Sequence, residues 1–225
     1  EKSFLMDNVV VTANKYATKQ KEVATIVNVI SPLIIESTTS NSMADVLNFQ
    51  TGLRVEETCS NCGVPQIRIN GLEGQYTQIL MDSRPIFSSL ASVYGLEQLP
   101  AGMVDRIEVI RGGGSALYGA NAIAGVVNII TKEPTRNFFN ISNSSAFTQQ
   151  GNYDINTSMN ASVVSENQKA GIYLFGVQRN RQQYDRDDDG FSDIPLLRST
   201  TAGFRSFFKT SDYSKITAEY HHTTE

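Results

Sequence analysis

The chain has no tryptophan and only two histidines, His221 and His222, among 225 residues. Charge is sparse as well, at 19% of residues, so Asn, Ser and Thr supply much of the polarity. The net charge of −4 and pI near 5.3 exclude the basic stripe of a nucleic-acid binder. An apolar run of about 18 residues is absent, which excludes a transmembrane helix. Absent too is any His, Cys or carboxylate constellation with catalytic spacing, so no enzyme is expected. The sequence opens on Glu1 rather than Met; a mature or trimmed chain is expected, and a missing signal peptide then carries no evidence about export.

Cysteine is scarce: Cys59 and Cys62, spaced C-x-x-C, are the only two. A zinc site needs about four ligands, and both histidines lie far away in sequence. A thioredoxin-like site needs a helix start in a βαβ pattern, which is missing. A small loop disulfide formed in an oxidising compartment and a pair of free thiols both remain open.

What is present divides near Pro134. Before it, short mixed segments dominate. Val23–Ile30 reads as a strand ended by Ser31-Pro32. Ser42 to Phe49 has a helix-start serine and helical apolar spacing, closed by Gly52. Short strands are predicted over 53–57, 66–70, 78–81 and 105–110. Val126–Thr131 is β-branched and too short to span a membrane as a helix, hence a buried strand.

After Pro134 the pattern alternates in strides of about ten residues, the length of a tilted strand crossing a bilayer. Phe139, Ile141 and Phe147 alternate with Asn140, Ser142, Ser144 and Thr148, and Tyr153 to Val163, Ala202 to Lys209 and Ile216 to His221 repeat the rule. Short turns at 150–152, 165–168 and 211–212, with one long acidic gap from Gln182 to Leu197, match a barrel with short inner turns and longer outer loops. A soluble β-sandwich produces the same alternation, usually in strands of about five or six residues. The two differ over Phe139, Ile141, Tyr153, Phe204 and Tyr220, which a barrel leaves outside and a sandwich buries.

The segment Leu99-Pro-Ala-Gly-Met-Val-Asp-Arg-Ile-Glu-Val-Ile-Arg-Gly-Gly-Gly-Ser-Ala-Leu-Tyr-Gly119, continuing to Gly125-Val-Val-Asn-Ile-Ile-Thr131, is the most specific feature. It is no phosphate loop, because Ala120 stands where Lys is required after Gly119, and no dinucleotide loop, because Leu117 fills the last glycine position. Instead it resembles the plug of TonB-dependent outer-membrane receptors, where strand, glycine turn, small-residue segment and second strand recur in this order. Three glycines stand where the family often has Pro within the turn. Gln66 to Asp82 resembles a second family segment, with Asn70 in place of the family's Arg and Ser83 in place of Gly after Asp82.

The resemblance implies an α+β plug domain followed by antiparallel transmembrane β-barrel strands: 1–18 as Ton box and linker, 19–134 as plug, 135–225 as the first strands. Such barrels have about 22 strands; five are counted here, so the chain is expected to be a piece of a longer protein. The implied activity is TonB-dependent uptake of a scarce chelate (siderophore, haem or cobalamin) across the outer membrane of a Gram-negative bacterium, with the plug inside the barrel and its N-terminus periplasmic. Implied partners are TonB, outer-membrane lipid, the chelate and a surface lipoprotein, and no nucleic acid.

Asp7-Asn8-Val9-Val10-Val11-Thr12-Ala13 resembles the family's Ton box. A β-branched, nearly uncharged extended peptide also suits strand addition to a partner's sheet edge; the alternative is that it is simply the first plug strand. The substrate loops carried over from the family run from Glu56 to Pro65 and from Arg84 to Gln98. Their candidate contacts are Glu57, Ser60, Asn61, Arg84, Phe87, Val93 and Tyr94, with Cys59 and Cys62 stiffening the first loop's rim; the apolar side chains could instead pack in the plug core. Arg68, Arg106 and Arg111 are expected to face barrel carboxylates, as plug arginines do in the family.

Asp185-Arg-Asp187-Asp-Asp189-Gly-Phe191-Ser-Asp193 matches the first half of a calcium loop. Alternate carboxylates before a glycine turn can converge on one hard cation, Phe191 can offer its carbonyl, and Asp193 falls at the ninth position. Leu196 occupies the twelfth, so the bidentate Glu is missing. A solvated acidic loop is the alternative. In the family, some members, cobalamin receptors included, carry calcium in this outer loop.

Overall fold

In a computed structural model of the chain, residues 9–13, 15–23, 25–38, 43–57, 65–85, 101–148, 150–211 and 214–224 are described. They fall into two compact units: the first takes those up to Glu56, those of 65–85 and those of 104–131, and the second takes Glu57, 101–103 and those from Lys132 on.

β-branched runs build the first unit. A ribbon of β1 (Val9–Val10) and β2 (Thr18–Lys19) precedes β3 (Val27–Ile30), α1 (Pro32–Ser37), α2 (Met43–Asn48), β4 (Leu53–Glu57) and β5 (Pro65–Ile69). Then come β6 (Thr77–Met81), β7 (Arg84–Pro85), β8 (Val104–Arg111) and β9 (Gly125–Thr131). The main sheet has the order β3-β8-β9-β6-β7, with β6 parallel to β9 and the other neighbours antiparallel; β4 and β5 pair separately. The central strands β8 and β9 are apolar on both faces, as strands covered on both sides are. Ile107, Val109, Val127 and Ile129 fill one face, while Ile110 and Val126 fill the other with Val27 and Leu80, all nearly inaccessible.

Two local expectations change. Pro32 opens a helix rather than merely ending a strand, because its fixed φ suits the first helical position. The strand expected over 23–30 shortens to Val27–Ile30. Asn70 has φ +53 and Gly71 φ +81, and the Leu72 amide donates to the Ile69 carbonyl at 3.0 Å. Left-handed backbone at both central positions is the Asn-Gly hairpin turn.

In the second unit, β10 (Phe138–Phe147), β11 (Tyr153–Val164), β12 (Ala170–Arg181), β13 (Leu197–Ser211) and β14 (Ser214–Thr224) form one antiparallel meander in sequence order. The register puts Ala161, Leu174, Phe204 and Tyr220 in one row, with Phe139 opposite Ala161. That face is apolar and open: Phe139, Ile141 and Tyr220 are each more than half exposed, while Tyr153 and Phe204 are partly covered. On the opposite face Asn160, Ser162, Arg179 and Thr201 are buried beside Tyr173 and Phe175. Tyr173 donates to the Gly102 carbonyl and to Asn160, and Arg179 is paired through two nitrogens with Asp154 at 3.0 and 2.7 Å. An apolar outside with a hydrogen-bonded inside inverts the soluble pattern and is that of a barrel wall.

Candidate functional site

The N-terminal peptide lies on the β8–β9 face. Val10 enters the cluster of Val27, Leu80, Ile110, Ala122 and Val126, and Thr12 is fully buried. Glu108, whose exposure is 0%, interrupts the apolar face and turns one oxygen to the peptide. Its Oε2 accepts from the Val11 amide (2.8 Å), the Thr12 amide (2.8 Å) and the Thr12 hydroxyl (2.6 Å). Its Oε1 accepts from Arg106 at 2.9–3.0 Å. Charge-assisted bonds of this kind are about twice as strong as neutral ones, which offsets burial of the carboxylate.

Two further groups complete the seat. Asn128, directly opposite Glu108 on β9, donates to Thr12 Oγ1 at 2.8 Å. Tyr118 donates its hydroxyl to the Thr12 carbonyl at 2.7 Å. Burial, and secondarily the negative charge of Glu108, raises the Tyr118 pKa above its usual 10, so it remains a donor at neutral pH. Tyr118 closes the helical turn Ser115–Tyr118 that follows Gly112 and Gly113, both with positive φ. The glycine signature thereby places a hydroxyl on the peptide.

Val9 to Ala13 are thus docked, with Val9–Val10 also pairing within the chain through β2; Asp7 and Asn8 lie outside the described residues. Glu108, Asn128 and Tyr118 were not singled out from sequence. The available signal was one acid inside Ile107-Glu108-Val109-Ile110, a buried position that demands partners.

The three plug arginines take partners within the first unit. Arg68 pairs with Glu56 at 2.7 Å, and Arg106 with Asp105 and Glu108 at 2.9 Å each. Arg111 donates to the Thr51 carbonyl, and Asn28, with its amide oriented to accept, meets it at 3.1–3.2 Å. Arg84 stands exposed at the start of β7, opposite Met81, and Glu57 ends β4. Ser60, Asn61, Phe87, Val93, Tyr94, Cys59 and Cys62 lie outside the described residues.

In the second unit the loop after β12 is pinched by Tyr184 and Ile194, whose backbones exchange bonds of 2.9 and 3.0 Å. Above this neck, carboxylate oxygens of Asp185, Asp187 and Asp193 lie within 4.8 Å of one another. Asp185 also accepts from the Asp188 and Gly190 amides, and Asp193 from the Arg186 amide, so the backbone fixes two of the three. Asp189 does not join them: it accepts from the Phe191 amide at 2.8 Å, while Phe191 projects outward. Three clustered carboxylates suit a hard cation with oxygen preference.

The profile described as TonB-dependent Receptor Plug Domain matches residues 19–126. In sequence the chain is similar to the vitamin B12 transporter BtuB of Vibrio vulnificus (strain CMCP6), 38% identical over 125 residues, covering 56% of this chain and 20% of that protein. BtuB of Vibrio cholerae serotype O1 (strain M66-2) is 31% identical over 126 residues, covering 56% and 21%. The chain spans about a fifth of the length of these curated relatives. In structure it is similar to the siderophore receptor PirA from Acinetobacter baumannii, with TM-score 0.72 and 23% identity, covering 88% of this chain and 31% of that one. The pyoverdine receptor FpvA from Pseudomonas aeruginosa PAO1 gives TM-score 0.70 at 14% identity, covering 96% and 30%. At such identities the structural likeness establishes the fold: a mixed α/β plug followed by the antiparallel strands that begin a barrel.

Proposed function

Because residues 19–126 belong to the TonB-dependent receptor plug domain family, we propose that this chain is the plug and the first five barrel strands of a Gram-negative outer-membrane receptor. It takes up a scarce chelate with energy delivered by TonB, and as a transporter it performs no covalent chemistry on its cargo. The observation that carries this reading is the N-terminal peptide itself: an extended β-branched segment held on the plug by a small set of polar contacts around Thr12. A peptide seated this way can be taken over by a partner's sheet edge, which offers main-chain bonds in exchange. Deleting residues 1–13 from the whole receptor is expected to abolish capture of the TonB C-terminal domain. Undiminished capture would end the reading.

For the cargo, the corrinoid class is favoured over siderophores and haem. The two sequence relatives described above, each more than 30% identical, are vitamin B12 transporters, whereas the siderophore receptors share only the fold. The acidic loop adds support. We read Asp185, Asp187 and Asp193 as ligands to one calcium ion, with carbonyls or another loop completing the shell. Calorimetric titration of the receptor with Ca²⁺ is expected to show one site, lost in Asp187→Ala and largely retained in Asp189→Ala. No heat in the wild type, or equal loss in both variants, contradicts that ligand set.

A further inference from the structure

Asn128 holds two parts of the plug at once. Its Nδ2 donates to Thr12 Oγ1 at 2.8 Å and to Ser83 Oγ at 3.2 Å, while its Oδ1 accepts from the Ser83 amide at 2.9 Å. The side chain is fully buried, and both of its N–H donors and its carbonyl oxygen are used to bridge the N-terminal peptide and the turn after β6. That turn is strained: Asp82 and Ser83 are consecutive non-glycine residues at φ +47 and +66. Left-handed backbone costs roughly 1–2 kcal/mol per such residue, so external bonds must hold it. They come from Asn128 and from Thr131, whose amide and hydroxyl donate to the Asp82 carboxylate at 3.0 and 2.7 Å. Ser83 immediately precedes Arg84–Pro85, the root of the second candidate substrate loop.

We propose that Asn128 is the positioning residue that makes docking of the N-terminal peptide depend on the Asp82–Ser83 turn. The inference rests on the peptide being the TonB site. A shift of Ser83 withdraws Asn128 Oδ1 from its partner and rotates the amide away from Thr12. Thr12 then keeps only Glu108 and Tyr118. The seat is also made for reversibility. Glu108 retains Arg106 when the peptide leaves, and Asn128 can hydrate, whereas an entirely apolar seat would expose a hydrophobic face.

Amide hydrogen exchange in the whole receptor reads the docked state directly, because the Val11 and Thr12 amides are bonded to Glu108. Asn128→Leu is expected to speed exchange at both amides about tenfold, the effect of losing one buried hydrogen bond. The amides of Val109 and Val127 should stay protected. Asp82→Ala, which loosens the turn, should speed the same two amides in the Asn128 protein and add nothing in the Asn128→Leu protein. Unchanged exchange in Asn128→Leu overturns the proposal, and so does an Asp82→Ala effect that is equal in both backgrounds. If Asn128→Leu lowers protection throughout the plug, Thr12→Val decides: it should free Val11 and leave Ser83 protected, and unchanged Val11 exchange overturns the proposal. Capture of TonB is scored separately. Deletion of residues 1–13 without loss of capture refutes the TonB assignment, while the exchange results still decide the coupling.

Discussion

Gly125→Ala is expected to unfold the plug locally, while Gly113→Ala, in the same signature, changes little. A β-carbon at Gly125 would sit well inside van der Waals contact with the Ile110 carbonyl oxygen and 2.9 Å from Ile69 Cδ1. The Ile110 oxygen is backbone of the neighbouring central strand and cannot swing aside. Gly125 also pairs with Arg111 on one side and Thr77 on the other, so relief requires opening the ladder at the middle of the sheet. Overpacking costs about 1–3 kcal/mol where side chains yield; a backbone clash lies at or above that upper limit. At Gly113 nothing stands within 4 Å of the added carbon, and only its φ of +31 is disfavoured. Limited proteolysis and amide exchange of the plug in the receptor should separate the two, with Gly125→Ala cleaved and exchanging across β8 and β9. Equal protection in both variants would remove Gly125 as a steric requirement.

The contrast marks what sequence could reveal. Gly112 and Gly113 are legible as turn glycines because the turn follows directly on an apolar strand; Gly125 serves a packing need visible only when Ile69 and Ile110 are brought beside it. The strands at 53–57, 66–70, 78–81 and 105–110 emerge within a residue or two of their expected bounds, since β-branched runs bounded by Gly or Asn are local signals. Pro32 closes the strand as its sequence suggests and also opens α1, because the same fixed φ serves both roles. In the acidic loop, the carboxylate alternation points to a cluster, and carboxylate oxygens of Asp185, Asp187 and Asp193 do lie together. Asp189 is diverted by its own local bond to the Phe191 amide, a competition no spacing rule counts. The peptide seat was legible on one side only. Val9 to Ala13 stand out as an extended peptide, but its receptor, Glu108 with Asn128 and Tyr118, lies about a hundred residues on and is assembled by sheet register.

A charge placed on the open face of the second sheet should cost stability according to its height. Leu174 belongs to the row of Ala161, Phe204 and Tyr220, and the rows on either side of it contain Val163, Ile172, Ile141 and Met159. Four residues along β12, Gln178 belongs to a row in which every position is polar: Thr157, Thr200 and Thr224, with Asn143 opposite Thr157. At about 3.3 Å per residue the two rows are roughly 13 Å apart along the strand, toward the acidic loop. The outer edge of the hydrocarbon layer is expected between them. Leu174→Arg is expected to destabilise the receptor by about 2–4 kcal/mol in bilayers and Gln178→Arg by about 0–1 kcal/mol. Urea titration of the refolded receptor in phospholipid vesicles measures both. Similar costs at the two positions would refute this boundary. A soluble sandwich makes a different demand: it would bury Leu174 against a second sheet and reach the same β-structure in plain buffer. Folding that requires lipid or detergent, combined with a cost confined to the Leu174 row, can arise only if that face meets hydrocarbon.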